Sequence, residues 1–96
     1  MFARVSTYET GPETISDAPS DDVMNTVLEI PGFRGVYYLH GKGTGKDLSI
    51  TLWDSEESMV ASRETANRIR TETSAAQRTQ ILAVEEFEVT ASSLKD

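Results

Sequence analysis

The chain has 96 residues, with 9 Lys and Arg against 16 Asp and Glu, a formal net charge of −7 and no cysteine. That length gives one domain, near the size at which a subunit often gains stability from a partner. The acidic balance argues against nucleic acid as a partner, and the missing cysteines exclude disulfides, thiolate metal sites and a cysteine nucleophile.

No apolar run approaches the roughly 20 residues that cross a bilayer. Met1-Phe2-Ala3-Arg4 leads into a strand pattern without the regions of a signal peptide, so a cytoplasmic protein with no membrane partner is expected. "FARVSTYE", 2–9, alternates β-branched and aromatic residues as a first strand, which "TGP" at 10–12 ends. Pro19 cannot sit inside a helix, so Glu13 to Pro19 reads as irregular or as a separate turn. The first helix then starts at Ser20 or Asp21 and stops before Pro31-Gly32. Its stripe is Val23, Val27 and Ile30, widened by Met24 and Leu28.

"FRGVYYLHG", 33–41, and "KDLSITLW", 46–53, read as two strands joined by a glycine-rich hairpin. A second helix follows Trp53, capped by Asp54 or Ser55, with Glu57 at capping-box distance from Asp54, and runs to about Thr73. Its buried stripe is Met59, Ser62, Ala66, Ile69 and Thr73; Glu64, Arg68 and Glu72 form a ladder toward solvent. "QILAVEEFEV", 80–89, is the last strand. The domain core thus spans about 2–90, with 91–96 a flexible tail.

The order β, α, β, β, α, β predicts an α+β, ferredoxin-like fold with both helices on one face of an antiparallel sheet. Apolar residues fall on both parities of the strands: Val5 against Phe2 and Tyr8, Leu52 against Trp53, Ile81 and Phe87 against Leu82 and Val84. A sheet with one wet face would alternate more cleanly, so a second copy of the chain is expected to cover the other face.

Few residues carry a chemical signal. "GKGTGK", 41–46, fails as a Walker A loop, because His40 stands where the first glycine belongs and Asp47 follows the lysine. It reads as a hairpin turn that needs positive φ. His40 has the pKa range of a general base, but a lone histidine beside a turn is more often a solvated residue. Arg4 and Arg34 lie in strands among apolar neighbours. Glu85 shares a parity with Ile81, Ala83 and Phe87, so an arginine and a carboxylate could orient an acidic substrate or form a structural pair. Tyr8, Tyr37 and Tyr38 could line a pocket, and Asn67 and Arg70 sit one helical turn apart beside the apolar stripe. Trp53, at the joint of strand and helix, reads first as a packing anchor and second as a wall for an aromatic ligand. No metal spacing and no Ser, His and Asp set is present.

"ARVSTYE" at 3–9, "PGFRGVYYL" at 31–39, "LSITLWDSEESM" at 48–59 and "VEEFEV" at 84–89 together resemble the antibiotic biosynthesis monooxygenase-like family of the dimeric α/β barrel superfamily. The resemblance spans about residues 2–90 and is carried best by Pro31-Gly32-Phe33 and by the strand ending in Trp53 before an acidic cap. It implies a homodimer whose sheets face each other as a barrel, with a small-molecule pocket between helices and sheet in each subunit. The family includes oxygenases that use no cofactor, haem-degrading enzymes and members with no known activity. The haem-degrading pattern has an Asn on the first strand and a helical His; here "RVSTYE" has no Asn and His40 is the only histidine, so haem is not expected.

The implied function is a monooxygenase without cofactor that acts on a small aromatic or polyketide-like molecule. In that scheme Arg4, Arg34 and His40 are the catalytic candidates, and Trp53, Tyr8, Tyr37, Tyr38 and Asn67 the substrate-binding ones. The alternative is a dimeric ligand-binding or accessory protein without chemistry.

Overall fold

The computed structural model describes residues 1–15 and 20–95. Of the stretch expected to be irregular, 16–19 lie outside the described residues, and 13–15 carry no helix or strand. The chain runs β1 (Phe2–Glu9), α1 (Asp21–Leu28), β2 (Phe33–His40), β3 (Lys46–Trp53), α2 (Glu56–Ala61), α3 (Arg63–Gln77) and β4 (Gln80–Glu88). The strands form one antiparallel sheet in the order β2-β3-β1-β4, the expected ferredoxin-like arrangement.

The expected second helix is two helices, and it continues past Thr73 to Gln77. Ser62 makes the break: its Oγ donates to the Met59 carbonyl at 2.7 Å and accepts from Arg4 Nη1 at 3.2 Å. A serine that bonds back to the preceding turn offers the backbone an alternative to the helical ladder. The cap of α2 is Ser55, whose Oγ accepts from the Ser58 amide, and not Asp54. In α1, Val27 is buried, but Leu28 is 63% exposed and does not join the stripe.

Pro31-Gly32-Phe33 turns the chain tightly under the start of α2, where the Asp54 amide bonds to the Gly32 carbonyl at 2.9 Å. Gly32 has φ +80, and a side chain there would collide with Ser58 and Asp54, so both conformation and space require glycine. The β2–β3 connection is the expected hairpin, with Gly43 and Gly45 at positive φ.

The two faces of the sheet have inverted polarity. Toward the helices, Arg4 pairs with Thr51, Ser6 with Ser49 and Phe2 with Trp53. That layer buries Arg4, Ser6, Ser49, Ser62, Arg70 and Ser74, with Val27, Trp53 and Met59 as its buried apolar residues, while buried Ala3 faces the other way. The opposite face is mostly apolar, with Ala3 between Leu52 and Phe87, Ile50 beside Val5 and Tyr37, and Leu48 beside Leu39, and is interrupted by Thr7 and Glu85. Tyr37, Leu39 and Phe87 on this face are exposed. Apolar residues thus occur on both parities, as the sequence suggested, and the helix-covered side is the more polar of the two.

Candidate functional site

The space between helices and sheet encloses a cavity of about 50 Å³. β1 contributes Arg4, Ser6 and Tyr8 to its floor, β3 contributes Ser49, Thr51 and Trp53, and β2 contributes Tyr38. These residues meet there because alternate positions of a strand point to one face, and the register places Ser6 beside Ser49 and Tyr38 beside the same serine. Val27 and Ile30 at the α1 end and Ala66, Ile69, Arg70 and Thr73 of α3 form the roof.

Arg4 is 3% exposed and bound on every side. Its Nε and Nη2 donate to Glu86 Oε2 at 3.2 and 2.9 Å, Nη2 also donates to the Met59 carbonyl at 2.8 Å, and Nη1 donates to Ser62. Glu86 is shared: Arg63 Nη2 reaches its other oxygen at 2.6 Å. Arg63 first, and then Arg4, hold the Glu86 carboxyl below its ordinary range against an opposing effect of burial. The Arg4 guanidinium also lies 5.4 Å from the centre of the Trp53 ring, a cation–π distance.

Trp53 is 1% exposed, packs edge-on against Phe33 with ring centres 5.6 Å apart, and donates its indole N–H to Thr51 Oγ1 at 3.0 Å. It is both the anchor under the helices and a wall of the cavity. Its N–H is already engaged, so it offers a ligand only the ring. The Tyr8 and Ser49 hydroxyls are 3.1 Å apart, and burial, followed by the neighbouring Tyr8, pushes the Tyr38 phenol above its ordinary value. Arg70 donates Nε to Ser6 Oγ at 2.9 Å and Nη1 to Asn67 Oδ1 at 3.2 Å. Burial, and to a lesser degree the charge of Arg4, lowers its pKa; a guanidinium remains a cation nonetheless. Thr73 Oγ1, in the same wall, is buried with no hydrogen-bond partner.

A broader groove of about 490 Å³ adjoins the cavity and shares Arg4 and Arg70 with it, adding Arg63, Glu64, Asn67, Val84 and Glu86. Within a chain of net charge −7, three arginines therefore meet at one place.

The structure brings together Arg4, Tyr8, Tyr38 and Trp53 at the cavity, and Asn67 beside it. Arg34 is exposed and lines neither space. Tyr37 points to the opposite face, as the neighbour of Tyr38 on a strand must. His40 is exposed and pairs with Asp47 at 2.7 Å, away from the cavity. The carboxylate beside arginine is Glu86 and not Glu85, because Glu86 faces Arg4 across the ladder while Glu85 faces Val5. Arg70 and the hydroxyls of Ser6, Ser49 and Thr51 also line the cavity, and strand or helix pattern alone does not mark them as ligand contacts. Arg70 is four residues on from Ala66 and eight from Ser62, in phase with the buried stripe, and that spacing was the available signal.

Among the described residues no cluster of His, Asp or Glu could hold a metal, and no helix is long and apolar enough to cross a membrane. No protein-family profile matches the chain, and no curated protein matches it significantly. Solved structures do. A candidate antibiotic biosynthesis monooxygenase from Deinococcus radiodurans aligns over 100% of this chain and 99% of its own at TM-score 0.67 and 11% identity. A variant of SnoaB, a cofactor-independent oxygenase from Streptomyces nogalater, aligns over 95% and 94% at 0.59 and 15%. A variant of MhuD with two manganese protoporphyrin IX bound per active site aligns over 99% and 100% at 0.58 and 21%. The chain therefore has the fold of the antibiotic biosynthesis monooxygenase structures.

Proposed function

We propose that the chain is a monooxygenase of the cofactor-free type, acting on a small electron-rich aromatic or polyketide-like molecule. The observation that carries the reading is a cavity with an aromatic wall, Trp53, and a cationic end, Arg4 and Arg70. A substrate held there as its phenolate or enolate would have its charge stabilised by fixed donors in a largely apolar surround. Oxidation of a ring methylene to a carbonyl consumes one O₂, places one oxygen atom on carbon and releases the other as water with the two methylene hydrogens. No external reductant is needed. The likeness in fold to SnoaB supports the same chemistry.

A second reading, a binding or accessory protein without chemistry, is favoured by one observation: among the described residues no His, Asp or Glu lines the cavity, where the phenols of Tyr8 and Tyr38 are the proton-transfer groups. In either case we propose that the apolar sheet face packs on a second copy of the chain, and that the cysteine-free protein works in the cytoplasm. Dioxygen uptake with a panel of anthrones and hydroquinones decides between the readings. Uptake that falls at least about tenfold in Trp53→Phe and Arg70→Gln, as expected for loss of a wall and of a charged donor, supports catalysis. Equal slow rates in all variants leave the binding reading.

A further inference from the structure

Arg70 is 8% exposed, yet no carboxylate among the described residues lies within ion-pair distance of it. A buried cation carries a large desolvation cost, which proteins ordinarily offset with a carboxylate. Arg4 shows the ordinary arrangement, with Nε and Nη2 on Glu86, Nη2 also on a carbonyl and Nη1 on Ser62. Arg70 has the neutral oxygens of Ser6 and Asn67 and the Tyr8 phenol beside it, and the repulsion of the nearby Arg4 charge is countered only from a distance by Glu86.

Its five N–H groups identify what is missing. Ser6 takes the Nε hydrogen and Asn67 one hydrogen of Nη1, which leaves the second Nη1 hydrogen and the Nη2 pair as a fork with the Tyr8 phenol beside it. Such a fork matches a planar head group with two oxygens. One turn further along α3, the buried and partnerless Thr73 hydroxyl supplies a donor in the same cavity wall. Trp53 and Ile69 supply apolar surface for a carbon skeleton. The enclosed 50 Å³ is about a third of the roughly 150 Å³ void that admits benzene, so it takes a head group and its nearest carbons. The remainder passes Tyr38, which stands 42% exposed at the cavity edge.

We propose that the cavity binds a small organic carboxylate, its head group seated on the Arg70 fork and its skeleton against Trp53. The proposal rests on the reading of the cavity as a small-molecule site and adds the charge class of the ligand. Arg70 is then the selecting residue, and Arg4 holds the architecture around it.

Trp53 is the one tryptophan of the chain and lines the cavity, so its fluorescence reports occupancy. The full 96-residue chain is titrated with benzoate and with its neutral isostere benzamide, at low and at raised salt. Benzoate is expected to bind at least about tenfold more tightly than benzamide, the value of one charge-assisted contact, with the preference shrinking as salt rises. Arg70→Gln is expected to abolish the preference and Arg70→Lys to keep part of it. Equal affinities in the native chain, or a preference that survives in Arg70→Gln, overturn the proposal. Should Arg70→Gln not fold, the native comparison alone decides. Neither ligand is oxidised in this assay, so binding of benzoate without dioxygen uptake on anthrones sinks the oxygenase reading and keeps this one. Absence of quenching by either ligand overturns the small-molecule site and the proposal together.

Discussion

Arg4 and Arg70 reach the same cavity from a strand and from a helix, and their acceptors separate their roles. Removing Arg4 takes a charged donor from the Met59 carbonyl and from the Ser62 hydroxyl, which keep only their bond to each other, while Glu86 keeps Arg63. Arg4→Met is therefore expected to lower stability by about 1.5–3 kcal/mol, the range for hydrogen bonds to a charged group, read as a fall in the urea midpoint. Glu86 adds a pH dependence. Its folded pKa lies below the ordinary 4.5, so its contribution is present above that value and is lost as the pH falls through the depressed folded pKa. Melting temperatures measured on both sides of pH 4.5 are expected to drop more steeply in the native chain than in Glu86→Gln; parallel curves would show the pairing to be idle. Strand alternation made Arg4 and Trp53 legible from the sequence. It could not tell which of the adjacent Tyr37 and Tyr38 faces the helices, because that depends on which neighbour the strand pairs with. Arg70 escaped because a charged residue on a helix is usually solvated, and only the tertiary packing of α3 reveals it as buried.

The elements that frame the site are held by serines at their ends. Ser55 caps α2 and Ser62 separates α2 from α3 while receiving Arg4. Ser55→Ala is expected to cost about 1 kcal/mol, the usual value of a side-chain cap. Ser62→Ala is expected to cost about 1–2 kcal/mol and to disturb Arg4 as well, since it removes an acceptor from a buried guanidinium. Equal losses in the two variants, by chemical denaturation, would contradict that added role. The existence and order of strands and helices were readable from periodicity and turn chemistry. The break at Ser62 was not, since serine is tolerated within helices and only its bond to Met59 and its contact with Arg4 distinguish it. β4 hid its facing for a similar reason. A register irregularity opposite Thr7 and Tyr8 puts Ile81 and Ala83 on different faces, so a single parity could not be followed from Ile81 to Phe87.

Across the whole molecule, the sheet carries most of its aliphatic residues on the side without helices, with Tyr37, Leu39 and Phe87 open to solvent. A patch of this kind on a sheet face is characteristic of an interface. The native chain is expected to sediment as a dimer at micromolar concentration, and Tyr37→Glu combined with Leu39→Glu to sediment as a monomer. A native monomer would remove the barrel assembly. The apolar second parity was visible in the sequence; that the helix-covered side would be built from arginines and hydroxyls was not, because strand periodicity identifies two faces without saying which one the helices take.

That inversion bears on how the chain melts. Polar groups exposed on unfolding lower the heat capacity and apolar ones raise it. Because the layer between sheet and helices is rich in arginine and serine, a subunit kept apart from its copy should unfold with a heat-capacity increment below the common ~12–15 cal/mol/K per residue. On the proposed pairing of two sheet faces, calorimetry is expected to give the native chain a larger increment per residue than the Tyr37→Glu, Leu39→Glu double variant, and equal increments would count against that pairing.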